Sequence, residues 1–358
     1  RDSYQMLTDQ NLRVGLATTV LIASPGEQPV RNTTKMTSLP PWTIQSFFKQ
    51  CAKGKADIVI IEASSVALHQ YRMAGMRPYI AAVTNITREE QAYHRNMKHY
   101  EKCKRMITRW AEHVILPRSL RHWKKRCKDL IFYERSSVPN GTLSVPGDYN
   151  YDNAAIVFEI GKLLRIKGEN ILASLQRFQW VTGRMQKVPD LYGRHIYVDY
   201  AVTPAAFEAV HESIKNLHLD ARVIHVFGST GGGRDQAKRP LGWEMISRYA
   251  DIMIITDEES YGEPVREIIE QIASGIPNEA QVDVHKIEDR MEALKHALIL
   301  ARPGDVILTT GMWGELTRNV PWGGHGDSST TKKLGGHDIP WEEEKILEEL
   351  AGQIEASN

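Results

Sequence analysis

Two short apolar runs constrain this chain more than any other feature. Ile58-Val59-Ile60-Ile61 passes into Glu62-Ala63-Ser64-Ser65, and Ala81-Ala82-Val83 passes into Thr84-Asn85. Runs this short, apolar on both faces and ending in polar residues, are the pattern of strands buried inside a parallel sheet. In open α/β sheets ligands sit outside the C-terminal tips of such strands. Glu62 and Asn85 occupy those tips, and Lys104 lies on the polar helix that follows. By residue type alone, Glu62 and Lys104 fit either a solvated surface pair or a metal or phosphate site.

The pattern around these runs predicts the end of a helix over residues 4–10, a strand from Arg13 to Leu21 and a helix from Trp42 to Cys51. A strand at 57–61, a helix from Ser64 to Tyr71 and a strand at 80–84 follow. Thr87 and Glu90 have capping-box spacing and would open the helix carrying Lys104. The hydroxyl-rich stretch from Asn32 to Ser38 is a loop, of a kind that turns the chain or holds phosphate or sugar oxygens. Arg118, Arg121, Lys124, Lys125, Arg126 and Lys128 form a basic cluster with Trp123 as its one interleaved aromatic. It reads as a solvated helix face rather than a nucleic-acid surface. Helices are expected from Ala154 to Leu164 and from Glu169 to Trp180.

Val188-Pro189-Asp190 and Gly193 break the periodicity and suggest two domains, residues 1–187 and 188–358. Beyond the break, strands at 195–199, 222–227, 251–256, 282–286 and 305–310 alternate with helices at 204–216, 238–249, 264–273 and 287–301. The expected fold class is therefore α/β, with a parallel sheet in the first domain and a doubly wound, Rossmann-like second domain. Residues 314–337, rich in Gly, Ser and Thr, read as a mobile loop, and Trp341 to Ile354 as a closing helix.

Composition excludes some classes of function. A net charge of +1 over 358 residues offers no global field for nucleic acid or an acidic membrane. No apolar run is long enough to span a bilayer, and the first residues do not form a signal peptide. Cys51, Cys103 and Cys127 are far apart and odd in number, which fits a reducing cytoplasm better than a disulfide framework. Cys103 reads as a helix packing residue. Gly228 to Gly233 has the glycine spacing of a phosphate loop, but Arg234-Asp235 stands where Lys and a hydroxyl residue are required. Arg234, Lys238 and Arg239 after this loop still suggest an anion site.

Glu62-Ala63-Ser64-Ser65-Val66-Ala67-Leu68-His69-Gln70-Tyr71-Arg72 resembles a block of the Mur ligase family, Glu-Val-Ser-Ser-His-Ala-Leu-x-Gln-x-Arg. Thr84-Asn85, Tyr93-His94 and Tyr100-x-x-x-Lys104 resemble the next block in order and spacing. Gly147-x-x-Asn150-x-x-Asn153, Gly183-Arg184-Met185, Asp199-Tyr200-Ala201-x-Thr203-Pro204 and Gly232-Gly233-Arg234-Asp235-x-x-Lys238-Arg239-Pro240 continue the resemblance. Each motif is weak alone; their order across nearly the whole chain is specific. The branch resembled is the UDP-N-acetylmuramoyl-tripeptide synthetases, and Thr34-Lys35-Met36-Thr37 with Ile339-Pro340-Trp341 is most similar to short members from candidate-phylum bacteria.

The resemblance implies an ATP-dependent ligase that joins an amino acid to a UDP-MurNAc-peptide through an acyl phosphate, with Mg²⁺ neutralising crowded anionic oxygens. It implies that Glu62 holds magnesium and that Lys104 carries a carbamate. It places Thr37, Ser38, Ser64, Gln70 and Arg72 on the nucleotide-sugar peptide, and Asn85, Asn150, Asn153 and Asp199 near ATP. Arg234, Glu258, Glu259, Tyr261, Gly311 and Glu315 would face the incoming amino acid. Diaminopimelate-adding members carry an Arg after the strand ending at Thr256, and Asp257-Glu258-Glu259-Ser260-Tyr261 has none. Losing that bidentate partner for a carboxylate favours a cationic amino acid such as lysine; Glu258 and Glu259 facing solvent is the other reading. The chain also departs from the family. The family's phosphate loop would lie before Arg1, Glu89-Glu90 replaces Asp-His, and Val66 and Val202 replace histidines. Glu90 retains an oxygen ligand suited to magnesium. Gly311-Met312-Trp313-Gly314-Glu315 replaces Gly-Lys-Gly-His-Glu. These departures leave open a catalytically impaired scaffold or binding subunit.

Overall fold

The computed structural model describes residues 2–34, 36–86, 93–123, 127–145, 147–178, 183–190, 192–233, 236, 239–277, 279–312, 317–321 and 336–356. Its first unit, Arg1–Gln179, contains α1 (Asp2–Thr8), β1 (Val14–Ala17), β2 (Leu21–Ala23), β3 (Val30–Arg31), α2 (Pro41–Lys53), β4 (Ile58–Ile61) and α3 (Ser65–His69). It continues with β5 (Ile80–Ala82), α4 (Met97–Arg105), β6 (His113–Pro117), β7 (Asp129–Tyr133), α5 (Asp148–Leu163) and α6 (Gly168–Arg177). One sheet has the order β3-β2-β1-β4 and the other β5-β6-β7. The β1–β4 pair is parallel, with Ala17 opposite Ile61, as are both pairs of the second sheet.

The apolar run at β4 is explained by cover on both faces. Ile58 and Ile60 pack with Met6 and Leu7 of α1, Ala154 and Ala155 of α5 and Ile171 of α6. Val59 and Ile61 pack instead with Ile44, Phe47 and Cys51 of α2. Side chains alternate across a strand, so a strand covered twice is apolar at every position. Ile80, Ile115 and Ile131 of the other sheet join the first of these cores.

Several expected elements change. The strand expected to run to Leu21 ends at Ala17, because Thr18 Oγ1 donates to Leu21 O and accepts from Leu21 N, both at 3.0 Å, and folds the chain back as β2. The helix bearing Lys104 starts at Met97, where the Asn96 side chain accepts from His99 N at 2.9 Å. Residues 93–96 are turn and bend, and Thr87 and Glu90 lie outside the described residues. Of the basic cluster, Arg118 opens a short 3-10 turn after β6 and Arg121 follows it, while Lys128 precedes β7; the remaining three residues lie outside the described residues. Trp42, at the start of α2, is 83% exposed, while Ile44, Phe47 and Cys51 are buried. α5 starts at Asp148 rather than Ala154.

The second unit, Trp180–Asn358, contains β8 (Gln186–Val188), β9 (His195–Asp199), α7 (Pro204–Leu217), β10 (Val223–Phe227), α8 (Leu241–Ile246), β11 (Ile252–Ile255) and α9 (Val265–Ala273). β12 (Asp283–Lys286), α10 (Arg290–Leu300), β13 (Val306–Thr310), β14 (Thr317–Pro321), β15 (Gly336–Pro340) and α11 (Glu343–Ala356) complete it. The sheet order is β12-β11-β10-β13-β9-β8, parallel except for the β8 edge. This is the doubly wound sheet expected. The units divide before β8, which pairs with β9, and not after residue 187. α8 is shorter than expected, and α10 starts at Arg290 because Asp289 Oδ1 accepts from Glu292 N at 3.0 Å. In the stretch expected as a mobile loop, β14 and β15 pair antiparallel. β13 lies on the opposite side of β10 from β11, so the chain reverses direction across the sheet between β10 and β13, the place where ligands enter such folds. Among the described residues no helix is long and apolar enough to cross a membrane.

Candidate functional site

In the first unit, residues named from sequence converge beyond the tip of β4. Glu62 N donates to Ala17 O at 2.9 Å, extending the ladder past the strand, and Glu62 Oε2 accepts from Thr19 N at 2.8 Å. Ser38 Oγ donates to Glu62 O at 3.1 Å and accepts from Ser64 N at 2.9 Å. Ser64 Oγ caps α3 by accepting from Ala67 N at 3.2 Å. Arg72 Nη1 donates to Ser38 O at 3.1 Å, and its Nε donates to Gln70 Oε1 at 2.8 Å. Ser38, Glu62, Ser64, Gln70 and Arg72 thus form one hydrogen-bonded group, with Thr37 beside Ser38 in the same loop. Asn32, whose role the sequence did not reveal, holds that loop: its Nδ2 donates to Thr18 O at 2.7 Å and to Met36 O at 3.0 Å.

Lys104 is half-buried on α4, its ammonium 5.7 Å from the centre of the Tyr100 ring. Among the described residues no ion pair joins it to Glu62. Asn85 is exposed beyond β5. Asn150 and Asn153 stand one turn apart on the first turns of α5 and so share a face. Gly147 precedes them at φ 97°, a conformation that favours glycine. Arg135 braces this helix start through Asp152, at 3.1 and 2.8 Å, and Asp148. Glu90 lies outside the described residues.

In the second unit the strand tips gather a separate set. Asp199, buried at the end of β9, accepts from Met185 N at 2.7 Å, and Tyr200 N donates to Gly183 O at 3.0 Å. Burial raises the Asp199 carboxyl above its ordinary range, opposed by Arg184 and by the amides of Met185 and Ala201. The segments 183–185 and 199–201 are therefore direct neighbours.

The glycine loop after β10 serves packing. Gly231 N donates to Glu259 O at 2.7 Å, and a Cβ at Gly231 would lie 2.1 Å from Ser260 O. A Cβ at Gly228 would lie 2.6 Å from Thr256 O. Gly228 and Gly231 let two backbones touch, a packing role that needs no phosphate. Arg239, expected at an anion site, is fully buried and occupied: it donates to Glu263 at 2.6 and 2.9 Å, to Gln271 Oε1 at 2.6 Å and to Thr230 O at 3.1 Å. The Glu263 carboxyl is lowered to about 2, chiefly by its hydrogen bond from Arg239.

Glu258 and Glu259 do not face solvent; both are buried. Thr230 Oγ1 donates to Glu258 Oε1 at 2.6 Å, and Tyr261 OH donates to Glu259 Oε2 at 2.6 Å. Gly311, at φ 91°, leaves room for Glu258: a Cβ there would meet its Oε2 at 2.6 Å. Burial is the main cause that raises the Glu258 carboxyl to about 7, with Thr230 and Arg290 opposing and Glu259 and Asp257 adding. Arg290, not suspected from sequence, is the buried cation beneath this wall. It pairs bidentately with Glu343 at 2.7 and 2.8 Å and donates to Asp257 O at 3.2 Å and Thr310 O at 2.8 Å. Trp341 Nε1 also donates to Glu343, at 3.1 Å. No local pattern links positions 290 and 343. Arg234 and Glu315 lie outside the described residues.

Residues 3–131 match the Mur ligase middle domain, and residues 183–312 match the domain described as "Mur ligase, glutamate ligase domain". A UDP-N-acetylmuramoyl-L-alanyl-D-glutamate–2,6-diaminopimelate ligase from Coxiella burnetii is 28% identical over 88% of this chain and 71% of its own length. Another of the same description, from Bacteroides thetaiotaomicron, is 30% identical over 84% of this chain and 67% of its own. Among solved structures, a MurF ligase from Thermotoga maritima in complex with ADP superposes with a TM-score of 0.62 at 13% identity, covering 100% of this chain and 77% of that one.

Proposed function

Because the chain belongs to the Mur ligase family, we propose that it is an ATP-dependent amide-bond ligase of peptidoglycan precursor synthesis, working in the cytoplasm on a UDP-MurNAc-peptide and a free amino acid. The observation that carries this reading is the hydrogen-bonded group of Ser38, Glu62, Ser64, Gln70 and Arg72 at the tip of β4. In the proposed reaction, the peptide's carboxylate oxygen attacks the γ-phosphorus of ATP and ADP departs. The amino acid's nitrogen then attacks the acyl carbon, phosphate leaves, and the nitrogen loses a proton as the amide forms.

Roles follow from chemistry. Thr37, Ser38, Ser64, Gln70 and Arg72 hold the nucleotide-sugar peptide by hydroxyl, amide and guanidinium hydrogen bonds. Asn85, Asn150, Asn153 and Asp199 belong to the ATP side, and Arg234, Gly311 and Glu315 to the amino-acid side. Glu62 suits magnesium: it is exposed, and only one of its carboxylate oxygens is engaged by the chain among the described residues. Magnesium there, with Glu62, Lys104 and Glu90 as its holders, supplies positive charge to the transferring phosphoryl group. Lys104 has no carboxylate partner among the described residues, which suits an amine that adds CO₂ and becomes an anionic carbamate. For the amino acid we favour lysine. Glu258 and Glu259 place two carboxylates in the wall that lacks the arginine of diaminopimelate-adding members, although the two relatives above carry that activity in their names. A second reading, an impaired scaffold, is favoured by Val66, Val202 and Met312 standing at polar family positions.

The test is phosphate release from ATP with UDP-MurNAc-dipeptide, with lysine and diaminopimelate supplied separately. Release that needs an amino acid and is lost in Lys104→Ala is expected. No release from the full-length protein would reject the ligase and leave the scaffold. Release with diaminopimelate in preference to lysine would reject only the choice of amino acid.

A further inference from the structure

Next to Lys104, but on a different face of α4, lies a cluster of softer ligands. His99 and Cys103 are one turn apart on α4, and His69 ends α3. One ligand atom from each of these three side chains lies within 4.8 Å of the others. His99 Nε2 and Cys103 Sγ are 3.7 Å apart. A tetrahedral zinc with Zn–S of about 2.3 Å and Zn–N of about 2.0–2.1 Å separates S from N by about 3.6 Å. These two atoms therefore already have the spacing of ligands on one ion. His69 is exposed, and an inward swing of about 1 Å would bring it to the same spacing.

The outer partners are also in place. His69 Nδ1 meets Tyr93 OH at 2.8 Å, which leaves Nε2 as the nitrogen available to an ion. His99 Nδ1 meets His94 Nδ1 at 3.4 Å, and His94 Nε2 meets Ser65 Oγ at 2.9 Å. Metal-binding histidines nearly always use their second nitrogen in this way, which fixes the ring and its tautomer. Cys103 is buried and His69 exposed. Two imidazoles and a thiolate discriminate against magnesium, which prefers oxygen, and favour zinc.

We propose that His69, His99 and Cys103 bind one Zn²⁺, with Tyr93 and His94 as supporting partners, and that this ion ties the end of α3 to α4. The ion would join the segment carrying Gln70 and Arg72 to the helix carrying Lys104. The proposal does not depend on the ligase reading. To test it, the purified full chain is stripped with chelator, reloaded with Zn²⁺ in excess Mg²⁺, and its bound zinc counted. A Co²⁺-loaded sample is read for a thiolate-to-metal band and tetrahedral visible absorption. About one equivalent of zinc is expected, with the thiolate band lost in Cys103→Ser. His69→Asn, at an exposed position, should weaken zinc at least as much as Tyr93→Phe, for which about 10–100-fold is expected. Zinc should also raise the thermal midpoint of the parent and not of His69→Asn. Failure to hold stoichiometric zinc, equal binding by His69→Asn, or a cobalt spectrum without a thiolate band would each overturn the site.

Discussion

Replacing Glu258 by Gln should remove a pH dependence of stability. The Glu258 carboxyl titrates near 4.5 when exposed and at about 7 in the folded chain, mainly because it is buried. The folded state therefore holds the proton more tightly than the unfolded state. Its contribution to stability is complete below pH 4.5 and is lost as pH rises through 7. A difference of this size corresponds to about 3 kcal/mol. Gln keeps the shape and can still accept from Thr230 Oγ1, which donates to Oε1 at 2.6 Å. Urea unfolding of parent and variant at pH 5, 6, 7 and 8 measures the effect. Fluorescence follows the second unit through Trp243, whose ring stacks on Phe227 with centroids 4.3 Å apart. Titrating groups remote from Glu258 contribute alike to both proteins and cancel in the difference, whereas Asp257 and Glu259, which add to its shift, belong to the effect measured. The variant should gain on the parent by about 2.5 kcal/mol between pH 5 and pH 8, because part of the contribution is already lost at pH 5. Parallel curves, with a constant difference across that range, would refute burial as the cause.

Three further outcomes follow from buried contacts. The Glu263 carboxyl is lowered to about 2 by Arg239, so its contribution is present above pH 4.5 and lost as pH falls toward 2; acid unfolding of Glu263→Gln should lack that loss, and an unchanged acid limb would contradict the pairing. Breaking the fully buried Arg290–Glu343 pair with Arg290→Met should destabilise by about 3–5 kcal/mol, because Glu343 keeps a buried charge; a loss below about 1 kcal/mol in urea would show that the pair is dispensable. Gly231→Ala puts a Cβ 2.1 Å from Ser260 O and should destabilise by about 1–3 kcal/mol, lowering the thermal midpoint by about 2–12 °C; an unchanged midpoint would mean that the two loops part freely.

Local chemistry was legible wherever it is periodic or capped. β4, β9, β10, β11 and β13 are mostly apolar because both of their faces are withdrawn from water, and that reading needs only their own residues. Thr203 at the start of α7 likewise caps through its own side chain, accepting from Ala206 N at 3.3 Å. β6 and β7 were hidden because a basic loop and a polar strand start, Asp129, interrupt the apolar signal. The helix of Lys104 was started too early because a side-chain spacing cannot tell whether the backbone between its members is helical.

Sequence by itself determined the α/β class, the doubly wound second sheet, and the order of motifs that mark the family, since these depend on short-range periodicity and on residue identity. The residues that gather at the tip of β4 also belong to short motifs, so residue identity alone marks them. Only tertiary structure decided which polar residues are buried. Glu258 holds its proton to about 7 because a loop and Gly311 exclude water from it. Arg239 is engaged by Glu263 rather than open to an anion, and Arg290 finds Glu343 fifty-three positions away. The His69, His99 and Cys103 cluster also needed α3 and α4 to be packed together. Charge and desolvation depend on what surrounds a group in space, and neighbours in space are set by the fold rather than by adjacency in the chain.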